Sequence, residues 1–224
     1  MLRAVLVDLH HTLVRTGSVD TWVDAAVAAS GDEPADRQAV LTSLRHVWSR
    51  AAVRHPDLAW DLDPALHRRA FEESLREDSS TSAPLSAALY DLMLAHWMAS
   101  DGAVDLLVAL RRHGLRVGLL SNIGLDPRGR LAQLGLLEHL DDVVLSVEVG
   151  LVKPDPRVFA LAARRLGVEA ADCVMLGDSR STDGGAAAAG MTTVLVPVDD
   201  GRPRLGAAAR MLLAAAAPDP LSTS

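Results

Sequence analysis

Arg3-Ala4-Val5-Leu6-Val7-Asp8-Leu9-His10-His11-Thr12-Leu13 is the stretch whose reading decides the fold. Its short, uninterrupted apolar run, bounded by polar residues, predicts a strand buried on both faces, as in a parallel sheet. The run delivers a carboxylate, Asp8, at its C-terminal end, the edge at which open α/β sheets bind their ligands. Asp8 is thus a candidate nucleophile or cation ligand. Taken alone, it reads more simply as a turn or helix-capping residue.

The rest of the chain supplies the context. From residue 104 onward, helical and apolar-strand patterns alternate: helix 104–113 closed by Gly114, strand 115–120 ending in Ser121-Asn122, helix 128–134, strand 143–146, and helix 158–166 closed by Gly167. Strand 173–176 ends in Gly177-Asp178-Ser179, and an Ala-rich helix, strand 193–197 and a last helix from Leu205 complete the series. That alternation implies an α/β fold with a doubly wound parallel sheet. Residues 18–97 carry helical patterns only. Ser18 or Asp20 caps a helix stopped by Gly31, and further helices are expected over 35–55, 64–77 and 84–99, with a Ser/Thr-rich loop at 78–83. All four tryptophans (Trp22, Trp48, Trp60, Trp97) fall in this block, which suggests a helical core of its own. The expected division is an α/β core from residues 1–15 and 98–224, with residues 16–97 inserted as a helical domain. Residues 218–224 read as a frayed tail.

Composition narrows the function classes. With 224 residues, there is room for one domain and a sizeable insertion. The net charge of −7 gives no bulk attraction for nucleic acid or an anionic membrane, so neither is expected as a partner. A phosphate-bearing substrate would need local cations. The single Cys173 excludes an internal disulfide framework and fits a reducing, cytoplasmic setting. The opening apolar run, interrupted by Asp8, is too short for a secretory signal, and no stretch approaches membrane-span length.

Three strands of a parallel sheet end in polar clusters: Asp8, Ser121-Asn122, and Asp178 with Asp183 in the next loop. Carboxylates converging on one sheet edge repel one another unless a cation sits between them, and a few hard oxygen ligands suit Mg²⁺. Lys153 would add a fixed positive charge. Singly, Ser121 reads as a cap, Lys153 as a solvated charge and Asp183 as an N-cap; their order at strand ends favours a shared site.

With these residues in place, the chain resembles the haloacid dehalogenase superfamily of aspartate-nucleophile hydrolases, which is rich in phosphatases. The resemblance rests on Asp8-Leu9-His10-His11-Thr12, Ser121-Asn122, Val152-Lys153-Pro154-Asp155-Pro156 with Phe159, and Gly177-Asp178-Ser179-Arg180-Ser181-Thr182-Asp183. The helical block resembles the cap that many members insert after the first motif. Two departures stand out, with a smaller third. His10 occupies the place of the family's second aspartate, the usual general acid/base, and His11 that of the usual glycine. The spacing from Asp183 to Gly190 also looks one residue short, so the following helix is expected to start differently.

The resemblance implies a mechanism in which Asp8 attacks phosphorus and forms an aspartyl-phosphate. Mg²⁺ would be held by Asp8, the His10 backbone carbonyl, Asp178 and Asp183. Thr12, Ser121, Asn122 and Lys153 would bind substrate, the last three through its phosphoryl oxygens, with Lys153 also catalytic. His10 would take over acid/base work. Three readings stay open: a Mg²⁺-dependent phosphatase or phosphotransferase for a small phosphorylated metabolite, a carbon-centre hydrolase of the dehalogenase kind, and a weak or inactive member that still binds a phosphometabolite or partner. Substrate choice is assigned to the helical insertion without singling out a residue. A monomer and a homodimer fit equally.

Overall fold

The computed structural model describes residues 1–79, 81–199 and 201–216; the tail expected to fray lies outside them. Its centre is β1 (Ala4–Val7), whose residues are all fully buried. β1 pairs in parallel with β4 (Arg116–Ser121) on one side and β6 (Cys173–Gly177) on the other. β5 (Asp142–Leu145) and β7 (Thr192–Leu195) extend the sheet, giving the order β5-β4-β1-β6-β7 with every pairing parallel. The lack of alternation in Val5-Leu6-Val7 follows from this placement, because both faces of a central strand are covered. Ala4 and Leu6 face Leu120, Met175, Val158 and Phe159 in one core cluster.

The helices begin and end where side chains satisfy their free backbone groups. In the stretch 16–98, α1 (Val19–Ser30) is capped by Ser18 and stopped by Gly31 in the left-handed conformation, φ 71°. α2 (Arg37–Arg54) starts behind Asp36, α3 (Pro64–Ser79) behind Asp63, and α4 (Ala83–Leu92) behind Ser82. Among the sheet-covering helices, α5 (Ala103–Arg112) precedes β4 and α6 (Arg128–Gln133) follows it. The short α7 (Ser146–Val149) follows β5, and α8 (Pro156–Arg165) uses Asp155 as cap with Pro156 in its first turn. A hairpin, β8 (Val198–Asp199) and β9 (Arg202–Pro203), leads into α9 (Leu205–Ala216).

Two expectations need correction. The segment expected as one helix over 84–99 ends at Leu92. A 3₁₀ turn, Leu94–His96, and a short strand, β3 (Trp97–Ala99), follow, and the strand β2 (Val14–Thr16) was not anticipated at all. Here tertiary bonds override helical propensity: the His96 carbonyl accepts from Gly17 N–H at 2.8 Å, and the Leu13 carbonyl from Ser100 N–H at 2.9 Å. The Ala-rich segment Asp183–Ala189 is a 3₁₀ helix, not an α-helix. Gly184-Gly185 weakens its first turn, and Gly190 closes it at φ 86°.

The chain forms two compact units. One comprises Met1–Arg15, Ala99–Asn122 and the chain from Leu131; the other comprises Thr16–Met98 with Ile123–Arg130. The helical unit has its own core, in which Trp22, Val23, Leu44, Phe71, Leu75 and Leu89 are buried together. Among the described residues, no helix is long and apolar enough to cross a membrane.

Candidate active site

The strand order fixes where side chains can meet. After β1 the chain builds β4 and β5 to one side, then returns to build β6 and β7 on the other. The crevice at such a reversal opens between the C-terminal ends of β1 and β6. Val7 is in register with Leu176, and Asp8 N–H donates to the Leu176 carbonyl at 2.8 Å. Asp8 therefore leaves one strand and Asp178 leaves its neighbour at the same edge. Ser121 ends β4 on the other side of β1 and is 4 % exposed.

Lys153, in the loop before α8, reaches into this crevice. Its Nζ lies 2.5 Å from Asp8 Oδ1 and 2.6 Å from Asp183 Oδ1, and the residue is only 4 % exposed. A buried ammonium is tolerated only when paired, and here two carboxylates receive it. A compact ammonium fits between two carboxylates in a way that the broad fork of arginine would not. Burial alone would lower the Lys153 pKa, but Asp8 and Asp183 outweigh it and hold it above the ordinary lysine value. Asp8 is pushed up to about 6, by burial first, with Lys153 opposing and Asp183 and Asp178 adding to the rise. Asp178, half-buried, is also raised by burial; His11 pulls it down and Asp183 pushes it up.

Asp183 is fully buried at the start of the 3₁₀ segment. Its Oδ2 accepts from Ser179 N–H at 3.0 Å while Oδ1 takes the Lys153 ammonium. The position exists because Gly177 has no side chain: a Cβ there would collide with Asp183 Oδ2. Gly185 makes the second close approach, since a Cβ on it would sit 2.5 Å from the Pro154 carbonyl oxygen. Neither the Ser179 amide nor Gly185 was singled out from sequence. The glycine pair in Asp183-Gly184-Gly185 was the available signal for a backbone packed closely against its neighbour.

The other expected site residues have surroundings of their own. Asn122, expected to bind phosphoryl oxygens, has its amide turned toward the Lys153 backbone. Its Oδ1 accepts from Lys153 N–H at 2.7 Å, and its Nδ2 donates to the Lys153 carbonyl at 2.9 Å. Thr12, expected to contact substrate, has no exposed surface, and its Oγ1 has no hydrogen-bond partner among the described residues. His10 and His11 lie edge to face with ring centroids 4.2 Å apart. Burial, with His11 beside it, pushes the His10 imidazole down to about 3. His11 adopts φ 62°, the left-handed region that favours glycine, while its N–H donates to the Val14 carbonyl at 2.8 Å.

Asp8, Asp178 and Asp183 each offer a carboxylate oxygen, and these atoms all lie within 4.8 Å of one another. Neither imidazole belongs to that group. Three carboxylates against one ammonium leave an excess of negative charge that suits a divalent ion, and the all-oxygen donor set suits a hard one. The residues fit Mg²⁺.

A model of the haloacid dehalogenase-like hydrolase family matches residues 2–190. The chain is 28 % identical over 208 residues to a glyceraldehyde 3-phosphate phosphatase from Methanopyrus kandleri, covering 88 % of this chain and 84 % of that one. It is 37 % identical over 141 residues to the human haloacid dehalogenase-like hydrolase domain-containing protein 3, covering 61 % of this chain. The match spans little more than half of that relative, 55 %. Among solved structures, a 2-haloacid dehalogenase from Pseudomonas syringae pv. Tomato superposes with a TM-score of 0.58 at 25 % identity, covering 88 % of this chain and 86 % of that one.

Proposed function

Since the chain belongs to the haloacid dehalogenase-like hydrolase family and is a hydrolase, we propose that it is a Mg²⁺-dependent phosphatase acting on a small phosphorylated metabolite in the cytoplasm. The observation that carries this reading is the Lys153 ammonium wedged between Asp8 and Asp183, with Asp178 close enough to share a cation. Mg²⁺ would be held by Asp8, Asp178 and the His10 backbone carbonyl, with Asp183 in support. Bound there, it would offset the charge shared by Asp8 and an incoming phosphoryl group.

An Asp8 carboxylate oxygen attacks phosphorus as the bond from phosphorus to the alcohol oxygen breaks, leaving an aspartyl-phosphate and an alkoxide that takes its proton from solvent water. Lys153 and Ser121 stabilise the phosphoryl oxygens. Water then attacks phosphorus, its proton passes to the His10 imidazole, and the bond to Asp8 breaks to release phosphate. Held neutral, the imidazole can accept that proton but cannot protonate an alkoxide in the first step, and its low basicity makes it a weak base in the second. The named activity of the Methanopyrus relative, on a three-carbon phosphate, supports a substrate of that size.

The paired Asp178 and Asp183 weigh against a carbon-centre hydrolase, a branch that lacks such a metal site. A second reading, a phosphometabolite-binding protein with little turnover, is favoured by His10 alone. A phosphorylated-metabolite panel with and without Mg²⁺ tests the first. Asp8→Asn is expected to lower turnover by at least about 10³-fold; a variant as fast as the parent overturns the assignment. His10→Asp separates the two readings. If the parent is slow, the change is expected to raise alkyl-phosphate turnover by roughly 10²-fold; a fall would mean that the imidazole is already an effective catalytic group.

A further inference from the structure

We propose that Asn122 is a positioning residue whose side-chain amide clamps the backbone of Lys153 and thereby holds the ammonium between Asp8 and Asp183. The inference rests on the phosphatase reading only for its consequence in catalysis. The clamp itself is two hydrogen bonds across 31 positions of sequence: Lys153 N–H to Asn122 Oδ1 at 2.7 Å and Asn122 Nδ2 to the Lys153 carbonyl at 2.9 Å.

The two bonds fix the orientation of the amide, because the Lys153 N–H needs an acceptor and its carbonyl needs a donor. Asparagine carries both on one planar group. Aspartate would lose the donor, and serine could not reach both atoms at once. The strand end at Ser121 supplies a rigid mount, since β4 is paired on both sides in the sheet. The far side of the lysine segment is held by Pro154 against Gly185, where no Cβ fits.

This anchoring matters because lysine has a long, flexible side chain that is costly to immobilise. Its Nζ must meet two carboxylates at 2.5 and 2.6 Å, and a stem whose backbone end drifts cannot keep both. With one N–H and the oxygen of its amide engaged by Lys153, Asn122 acts on the reaction through the lysine.

The sequence supplies an unusual readout. Lys153 is its only lysine, every other Lys/Arg position being arginine, so amine-directed labelling reports on this one side chain and the α-amino group. Reductive methylation with ¹³C-formaldehyde, followed by NMR, compares the parent with Asn122→Ala and Asn122→Asp. Calorimetry with inorganic phosphate and Mg²⁺ is run alongside, and circular dichroism checks folding. In Asn122→Ala, Lys153 is expected to label about tenfold faster and phosphate to bind about tenfold more weakly, as the loss of two hydrogen bonds implies. Asn122→Asp keeps the acceptor for Lys153 N–H, so its labelling is expected to fall between the two. It also serves as the test variant if Asn122→Ala does not fold. Unchanged labelling with weakened phosphate binding would make Asn122 a direct ligand and overturn the clamp, as would labelling and binding both unchanged. If the parent neither binds phosphate nor hydrolyses any phosphomonoester, the phosphatase reading fails, and the labelling rates still decide the clamp.

Discussion

Two buried polar clusters, one in each unit, follow opposite rules. At the sheet edge, the charged Lys153 is packed within hydrogen-bond distance of both Asp8 and Asp183. In the helical unit, Trp48 stacks on Trp60 with centroids 5.0 Å apart, His67 lies 4.4 Å from Trp48, and His67 Nδ1 meets Tyr90 Oη at 2.7 Å. Each region carries a histidine pushed down by burial, His10 to about 3 and His67 to about 4. Only His10 belongs to the chain segment that carries Asp8, two positions after it, and its neighbour His11 interacts with Asp178. A perturbed imidazole marks burial; its neighbours decide whether burial serves chemistry or packing.

The contrast breaks most sharply at Lys153. Lys153→Met removes the charge that separates Asp8 from Asp183, and turnover of an aryl phosphate is expected to fall about 10²–10³-fold. The metal-free protein should also lose about 3 kcal/mol of stability, because two buried carboxylates are left facing each other. Kinetics and urea unfolding with and without Mg²⁺ check both, and Mg²⁺ should restore more stability to the variant than to the parent.

A smaller effect is expected in the helical unit. His67 is held neutral in the folded protein down to about pH 4, whereas its ordinary value is 6.5. The unfolded chain therefore binds the extra proton between those values, and stability drops as pH falls from 6.5 to about 4. That window is worth about 3 kcal/mol at most. His67→Gln, which keeps a hydrogen-bonding group near Tyr90 but does not titrate, should make this part of the profile less steep, leaving the slope that His10 contributes over the same range, and should leave aryl-phosphate turnover near neutral pH unchanged. All four tryptophans lie in the helical unit, so their fluorescence follows its unfolding.

The least effect is expected at His11. Glycine is at ease at φ 62°, so His11→Gly should stabilise the protein by about 1 kcal/mol, measured as a rise in the urea midpoint.

Much of the site was legible because parallel strands force their C-terminal residues onto one edge. The unalternating run before Asp8, the run before Ser121 and the run before Asp178 each declared a buried strand, and their order declared the meeting place. The caps Ser18 and Gly31 were equally plain, since each satisfies local backbone groups. What stayed hidden depends on partners distant in sequence. Nothing near Asn122 announces that its amide is engaged by Lys153. Nor does the stretch after it show that Ile123–Arg130 belongs with the helical unit, where Gly124 lies so close to the Trp60 carbonyl and His67 that a Cβ would collide with both. β3 was missed for the same reason: its residues favour a helix, and only Gly17 and Leu13, far upstream, claim the backbone groups flanking it.

The central position of β1 has a consequence for how the protein is made. Its four residues leave the ribosome first among the sheet strands, yet both flanking strands are translated more than a hundred positions later. A nascent chain stopped short of Cys173 holds Asp8 but has neither the second neighbour of that strand nor Asp178. Hydrolytic competence should therefore arise late and abruptly during synthesis, and the long-range pairing should make folding slow relative to a helical protein of equal size.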